Sequence, residues 1–411
     1  MSRAPHIAAL LVLAAAARAE AEPLRLRADA FASSASPVGL VDVTAGGEIN
    51  DWLRADAVVW LGAGAAIDDP DADVLVIAAH ARSPKGHGEA TLGRFVLNVG
   101  ALRPLHLDGL DARVHLPYRL TAEAFAGAPV VQGLDSRSWD WLAGGRIGRR
   151  LGDWGSAGVA FLEERDHGEL STQELGLDAG GAIDRKSDAS ARLAIDLISS
   201  AVALAEVSAV RRMGDVRVEL YATHRSPSHL IPATSLFSVL GDSPAQHGGG
   251  RARWRIAPRL DLDLDAGLRR AGGETGIDIT GKATLRLDDK GRGMLSIELR
   301  REDAPVCGQT VTTGAIARSG SDGSGICGGG WTGARGAARV PIDAHFTAST
   351  ELELVRPDDQ TRGNWWPWAI AALGWRAGNW DAALATEASA SPEYSHRVDV
   401  IARLGRRWEL P

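Results

Sequence analysis

On either side of residues 257–259, in RARWRIAPRLDLDLD (251–265), apolar and charged residues alternate one by one. Side chains along a strand point to opposite faces in turn, so this period gives each strand one apolar and one charged face. A three-residue turn at 257–259 sets Arg255 opposite Asp261, Arg253 opposite Asp263 and Arg251 opposite Asp265. The same register puts Trp254 beside Leu262 on the other face, so both faces ask for one pairing. The pattern recurs in LRLRADAFA (24–32), DVRVELYAT (215–223) and HRVDVIARLGRRWEL (396–410).

A soluble sandwich alternates too, with its apolar face turned inward. The alternating segments here run to about 9–12 residues, the length of a tilted membrane strand rather than of the shorter globular mean. Their apolar face is Ala, Leu and Val, and only 6 Phe occur in 411 residues, which would fill a thick core poorly. The chain opens with MSRAPHIAALLVLAAAARAEAEP: one Arg, a short apolar run and a small-residue cleavage site, the organisation of a secretory signal peptide. Residues 1–21 are therefore set apart as a cleaved leader, and 22–411 are read as one all-β domain. That domain is a closed transmembrane antiparallel up-and-down barrel, because only closure leaves no strand edge in lipid.

Short turns are expected at 152–153, 211–215, 257–258, 288–291 and 377–379, with longer loops between them. This rhythm counts about 22 strands, with 18 or 20 as alternatives, all even so that both termini share one side. Trp139, Trp141, Trp154, Trp365, Trp366, Trp368, Trp380 and Trp408 fall near strand ends and are expected in the headgroup girdle. Net charge is −7 with both signs spread along the chain, which does not suggest a nucleic-acid partner. Cys307 and Cys327 are the only cysteines; in an exported chain they are expected to form a disulfide closing an external loop.

LGRFVLNVGALRPLHLDGLDARV (92–114) is similar to a passage of large outer-membrane porins of the alginate-export type. There a Gly-Arg opens a strand and an Asp-Gly starts the returning one, matched here by Gly93-Arg94 and Asp108-Gly109. The resemblance implies a barrel in the bacterial outer membrane connected with polysaccharide export. The C-terminus departs from outer-membrane barrels that end in an aromatic residue, since Trp408 stands three residues early.

Arg25, Arg27, Arg54, Arg94, Arg113, Arg146, Arg150, Arg251, Arg253 and Arg255 are expected to point into the lumen. So are Asp261, Asp263, Asp265, Glu298, Glu351 and Glu353. Residues 228–250 break the alternation with Leu230, Ile231, Leu236, Phe237, Val239 and Leu240, and are expected to fold inward as a constriction or lid, with a cap lying over the rim as the alternative. His224 and Ser226 have the His-x-Ser spacing of outer-membrane lipid hydrolases, so a rim esterase is an alternative function. Gly241-Asp242-Ser243 lacks the downstream Asp-x-x-His of the Gly-Asp-Ser esterases and reads as a turn. The acidic run at 68–73 lacks the Gly and Glu of a calcium loop, and nothing calls for a metal or cofactor. The expected function is a non-enzymatic channel for a hydrophilic solute, with polysaccharide export favoured and a plugged structural barrel as a further alternative. Its expected partners are the bilayer with its lipopolysaccharide, that solute, and periplasmic export components.

Overall fold

The computed structural model describes residues 24–34, 38–64, 67–130, 140–226, 245–271, 274–303, 330–358, 365–391 and 394–410. Over these the backbone forms 22 strands, from β1 (Leu24–Ser33) to β22 (Tyr394–Leu410), in one antiparallel sheet. Strands adjacent in sequence pair throughout, and β1 closes on β22 from Leu24↔Leu410 to Ser33↔Ile401. The described residues hold no α-helix, only a 3-10 turn at Pro117–Arg119. Strands ~4.8 Å apart and tilted ~40° give 22 of them a circumference of roughly 140 Å and a diameter of about 44 Å, too wide for side chains to fill.

One face of the sheet leaves Ile147, Leu220 and Val398 between 62% and 66% exposed. Large aliphatic side chains spread over a whole outer surface belong against hydrocarbon, not water. The opposite face carries the buried acids Asp29, Glu123, Glu298 and Asp381. The charged faces of the alternating strands thus line the lumen.

The connections at 152–154, 214–215, 258–259, 287–293 and 378–379 gather at one end, where β1 starts and β22 ends. In two of the wider turns an aspartate takes the free amides. Asp288 accepts from Arg292 at 2.9 Å and Gly293 at 3.0 Å, and Asp343 from Phe346 at 2.7 Å and His345 at 2.6 Å. Those bonds favour the carboxylate and hold both pKa values below the usual range.

Three expectations need correction. Strands β14 (Ala245–Ala257) and β15 (Leu260–Ala271) are joined by Pro258 and Arg259 alone, with a bulge between Arg255 and Ala257 in place of the third turn residue. The Arg–Asp register survives because the bulge absorbs the extra position. Trp366 and Trp368 do not join the outer girdle. On β20 (Trp366–Ala377) even-numbered residues point inward, so Trp366 packs with Trp331 and Val355, and Trp368 Nε1 donates to Glu387 at 2.7 Å. Trp380 and Trp408 do face outward, with the Arg406 guanidinium 4.7 and 4.9 Å from their ring centroids. Trp139 lies outside the described residues.

The third correction concerns Arg94. Gly93↔Gly109 and Arg94↔Asp108 are successive cross-strand pairs of β5 (Gly88–Leu97) and β6 (Leu105–Leu116). Arg94 shares the outward parity of Leu92 and Val96, which are 62% and 54% exposed, so by register it does not point into the lumen. It is held there by Asp108 at 2.7 and 3.0 Å, Asp73 at 3.2 Å and the Val74 carbonyl at 2.8 Å. The ladder between β4 (Ile67–Arg82) and β5 stops at Ile77↔Arg94, so the arginine satisfies the β4 backbone where strand pairing ends.

Gly93 has φ 127°, and a Cβ there would lie 2.1 Å from the Ile77 carbonyl oxygen. Gly93→Ala should therefore cost at least about 1–3 kcal/mol in backbone strain, with the clash in addition. Gly374→Ala meets only ordinary contacts, the nearest at 3.7 Å. The yield of heat-modifiable barrel in outer membranes should fall for the first and hold for the second. Equal yields would show that the β4–β5 junction tolerates a side chain.

Candidate functional site

The lumen wall is a field of paired charges. Arg251, Arg253 and Arg255 stand opposite Asp265, Asp263 and Asp261 in the β14–β15 register. The pairs are not equivalent. Arg251 grips Asp265 at 2.7 and 2.9 Å, whereas Arg253–Asp263 and Arg255–Asp261 are 3.7 Å apart. Asp261 bonds instead to Arg286 of β16 (Glu274–Arg286), a third strand that a two-strand register could not reveal.

The pairing continues round the wall, with Arg113–Glu123 at 2.8 Å, Arg225–Glu206 at 2.9 Å and Arg335–Glu351 at 2.7 Å. Arg54 meets Asp56 at 3.0 Å, and Glu298 pairs with Arg300. Glu353 is also on the inner face and buried. Arg150 shares the inward parity of Arg146, and Arg25 that of Arg27. At the closing seam Arg403 bridges Asp29 at 2.7 Å and Asp381 at 3.0 Å, joined by Arg27 and by Arg407 at 3.5 Å. Asp29 and Asp381 flank Gly405, where a Cβ would lie 2.6 Å from Asp29 Oδ1 and 3.1 Å from Asp381 Oδ1.

One stretch of the inner wall is apolar. Phe95, Leu97, Leu107, Phe125, Leu142 and Leu162 form a buried cluster on the lumen face of β5 to β9 (Gly155–Asp166). The chain between β5 and β6, residues 98–104, folds inward over it. Val99 and Leu102 join the cluster at 1% and 5% exposure. The segment reaches β10 (Glu169–Asp184), where Arg103 donates to Glu174 Oε1 at 2.6 and 2.9 Å. Glu174 is fully buried. Gly100, at φ 56°, rests on the Arg146–Asp178 pair, and a Cβ there would lie 2.4 Å from Asp178 Oδ1. Gly176 leaves room on β10 for Leu102. Beyond the segment a cavity of about 470 Å³ remains, bounded by Arg146, Arg192, Glu206 and Arg225. Residues 98–104 thus narrow the lumen at the end opposite the short turns.

Sequence reasoning expected a constriction at residues 228–250. Leu230, Ile231, Leu236, Phe237, Val239 and Leu240 lie outside the described residues, as do Cys307, Cys327 and the 1–21 leader. The signal for 98–104 was nonetheless in the sequence. At the inward positions 95, 97, 105 and 107 the usual charges give way to Phe and Leu, and Val99 and Leu102 continue that character through the loop.

His224 lies on β13 (Val216–Arg225) with the outward parity of Leu220. Its Nε2 is 3.3 Å from the Val202 carbonyl oxygen, and its cross-strand neighbours are Ala205 and Gln246, neither of them a carboxylate. The Ser226 backbone amide donates to Ala203 at 2.8 Å. Asp140, Asp166 and His167 form the one compact acid–histidine group among the described residues; all lie at the exposed rim, apart from the lumen.

No protein-family model matches the chain, and no curated protein matches it in sequence. Solved structures are similar in fold. The P pilus usher (PapC) translocation pore is 9% identical with a TM-score of 0.52, covering 95% of this chain and 100% of that one. Two Pseudomonas aeruginosa proteins, OccD3 (OpdP) and OccK5 (OpdH), give TM-scores of 0.45 and 0.46 at 9% and 11% identity. They cover 96% and 95% of this chain and 94% and 98% of their own. The likeness is one of architecture: this chain is a large, closed, 22-strand antiparallel barrel of the bacterial outer-membrane kind.

Proposed function

We propose that the protein is an outer-membrane channel for a hydrophilic solute, and that its cargo is an uncharged, hydroxyl-rich saccharide handled in polysaccharide export. The observation that carries this reading is the pairing of charges along the wall of a wide lumen. Arg146–Asp178 at 2.6 Å, Arg251–Asp265 at 2.7 Å and Arg335–Glu351 at 2.7 Å each set a cation directly against an anion on that wall. A conduit for a polyanion such as alginate would need an excess of cations along its wall. Pre-paired guanidinium and carboxylate groups suit hydroxyl groups, which both donate and accept. The short-turn end would face the periplasm and any export components there.

A plugged structural barrel is the second reading, favoured by residues 98–104 folding inward from the wall and narrowing the lumen. Planar-bilayer recording of the purified protein decides between them. The channel should conduct with weak ion selectivity, the K⁺ and Cl⁻ permeabilities within about a factor of two or three of each other, and liposomes carrying it should swell in neutral oligosaccharides. Absence of conductance would favour the plug, and strong anion selectivity would return the cargo to a polyanion.

A further inference from the structure

The wall formed by β11 (Ser187–Asp196) to β16 carries a recess of about 670 Å³. That lies within the roughly 300–1,000 Å³ typical of small-molecule sites. Gly249 and Gly267 stand directly opposite each other on β14 and β15 and make room for two of its wall residues. A Cβ at Gly249 would lie 2.9 Å from Tyr221 Oη, and one at Gly267 2.5 Å from His247 Nε2. The rings of Tyr221 and His247 occupy the space these glycines leave, edge to face with centroids 5.1 Å apart.

The polar groups around the two rings are placed but incompletely used. Tyr221 donates to Asp265 Oδ1 at 2.8 Å, which fixes the phenol. His247 Nε2 lies 3.6 Å from Asp278 Oδ2, and Asp278 Oδ1 is buried with no hydrogen-bond partner among the described residues. Ser190 and Ser208, hydrogen-bonded at 2.9 Å, add hydroxyls to the rim. The arginines at the recess have carboxylates already: Arg225 with Glu206 at 2.9 Å, Arg251 with Asp265 at 2.7 Å and Arg269 with Glu302 at 2.6 Å.

We propose that this recess is a lumen subsite for one or two units of an uncharged saccharide in transit. The inference rests on the channel reading above and deepens it. An aromatic ring offers an apolar platform for the C–H face of a pyranose. Asp278 lines the recess, and its Oδ2, approached among the described residues only by His247 at 3.6 Å, offers an acceptor for the sugar hydroxyls, while the paired arginines offer donors without the excess charge that would capture an anion.

The test is current block by maltopentaose in planar bilayers holding the full-length channel. The wild-type current should be interrupted in a concentration-dependent way. Asp278→Asn and Tyr221→Leu should each weaken that block by about tenfold, the worth of one strong hydrogen bond or one ring contact. Open-channel conductance reports whether each variant has assembled; should one fail to assemble, the other decides. A wild-type channel that conducts without block would overturn the subsite and leave the channel standing. Undiminished block in an assembled variant, or preferential block by an oligogalacturonate, would also overturn it. A barrel that never conducts would instead remove the channel reading itself.

Discussion

Replacing residues 98–104 by two glycines should roughly double single-channel conductance, because the segment stands inward on the lumen wall between β5–β6 and Glu174 on β10. The replacement removes Val99 and Leu102, which are almost fully buried, and so forfeits about 3–6 kcal/mol of apolar burial. The strand ladder remains, so the barrel should still assemble. A finer cut is Glu174→Gln, which keeps the shape and strips the charge from Arg103. Removing one partner of a buried pair costs about 3–5 kcal/mol. Because β10 is hydrogen-bonded on both sides, that cost should fall on the segment, as rapid switching between two current levels. Unchanged conductance after the replacement would place the narrowest point elsewhere, with residues 228–250 the next to test.

Reversing Asp261, Asp263 and Asp265 to Lys should turn the channel clearly anion-selective. The change faces three new cations with Arg251, Arg253 and Arg255 and strips Arg286 of its partner. Reversal potential in a KCl gradient should move by on the order of 10 mV or more at low salt and shrink toward molar salt, where the Debye length is about 3 Å. Stability should change less, since each wet ion pair contributes only about 0–1 kcal/mol. Asp261 is the exception to watch, being 3% exposed and surrounded by Arg286, Arg253 and Arg255. A reversal potential that stays put would remove this hairpin from the permeation path.

What could be read from the sequence was whatever depends on a two-residue period. Closure, the Arg–Asp register and the positions of the short turns are local consequences of alternation and of turn chemistry. What escaped depends on a third partner. Asp261 belongs to Arg286 one strand further on, and Arg94 fills a place where β4 and β5 cease to pair. Trp366 follows Trp365 by one residue; proximity to a strand end put both in the girdle, yet side-chain alternation sends Trp366 inward. The inward fold of 98–104 needed Glu174, 71 residues away from Arg103, and no spacing rule joins them.

The seam around Gly405 bears on how the last bond of the barrel is made. Arg403 on β22 bridges Asp29 on β1 and Asp381 on β21 (Trp380–Ser391), so this cluster is complete only when the first and last strands meet. A slip of one residue there would turn the apolar face inward and is forbidden by lipid. A slip of two would keep the faces right and leave the backbone ladder intact, so backbone bonds alone discriminate poorly against it. It would, however, carry Gly405 away from the two carboxylates and set Arg403 or Arg407, with a full side chain, into the place that Asp29 and Asp381 share. Charge and a missing side chain together thus act as a register key for closure, and with it for the stagger that sets the tilt of every other strand.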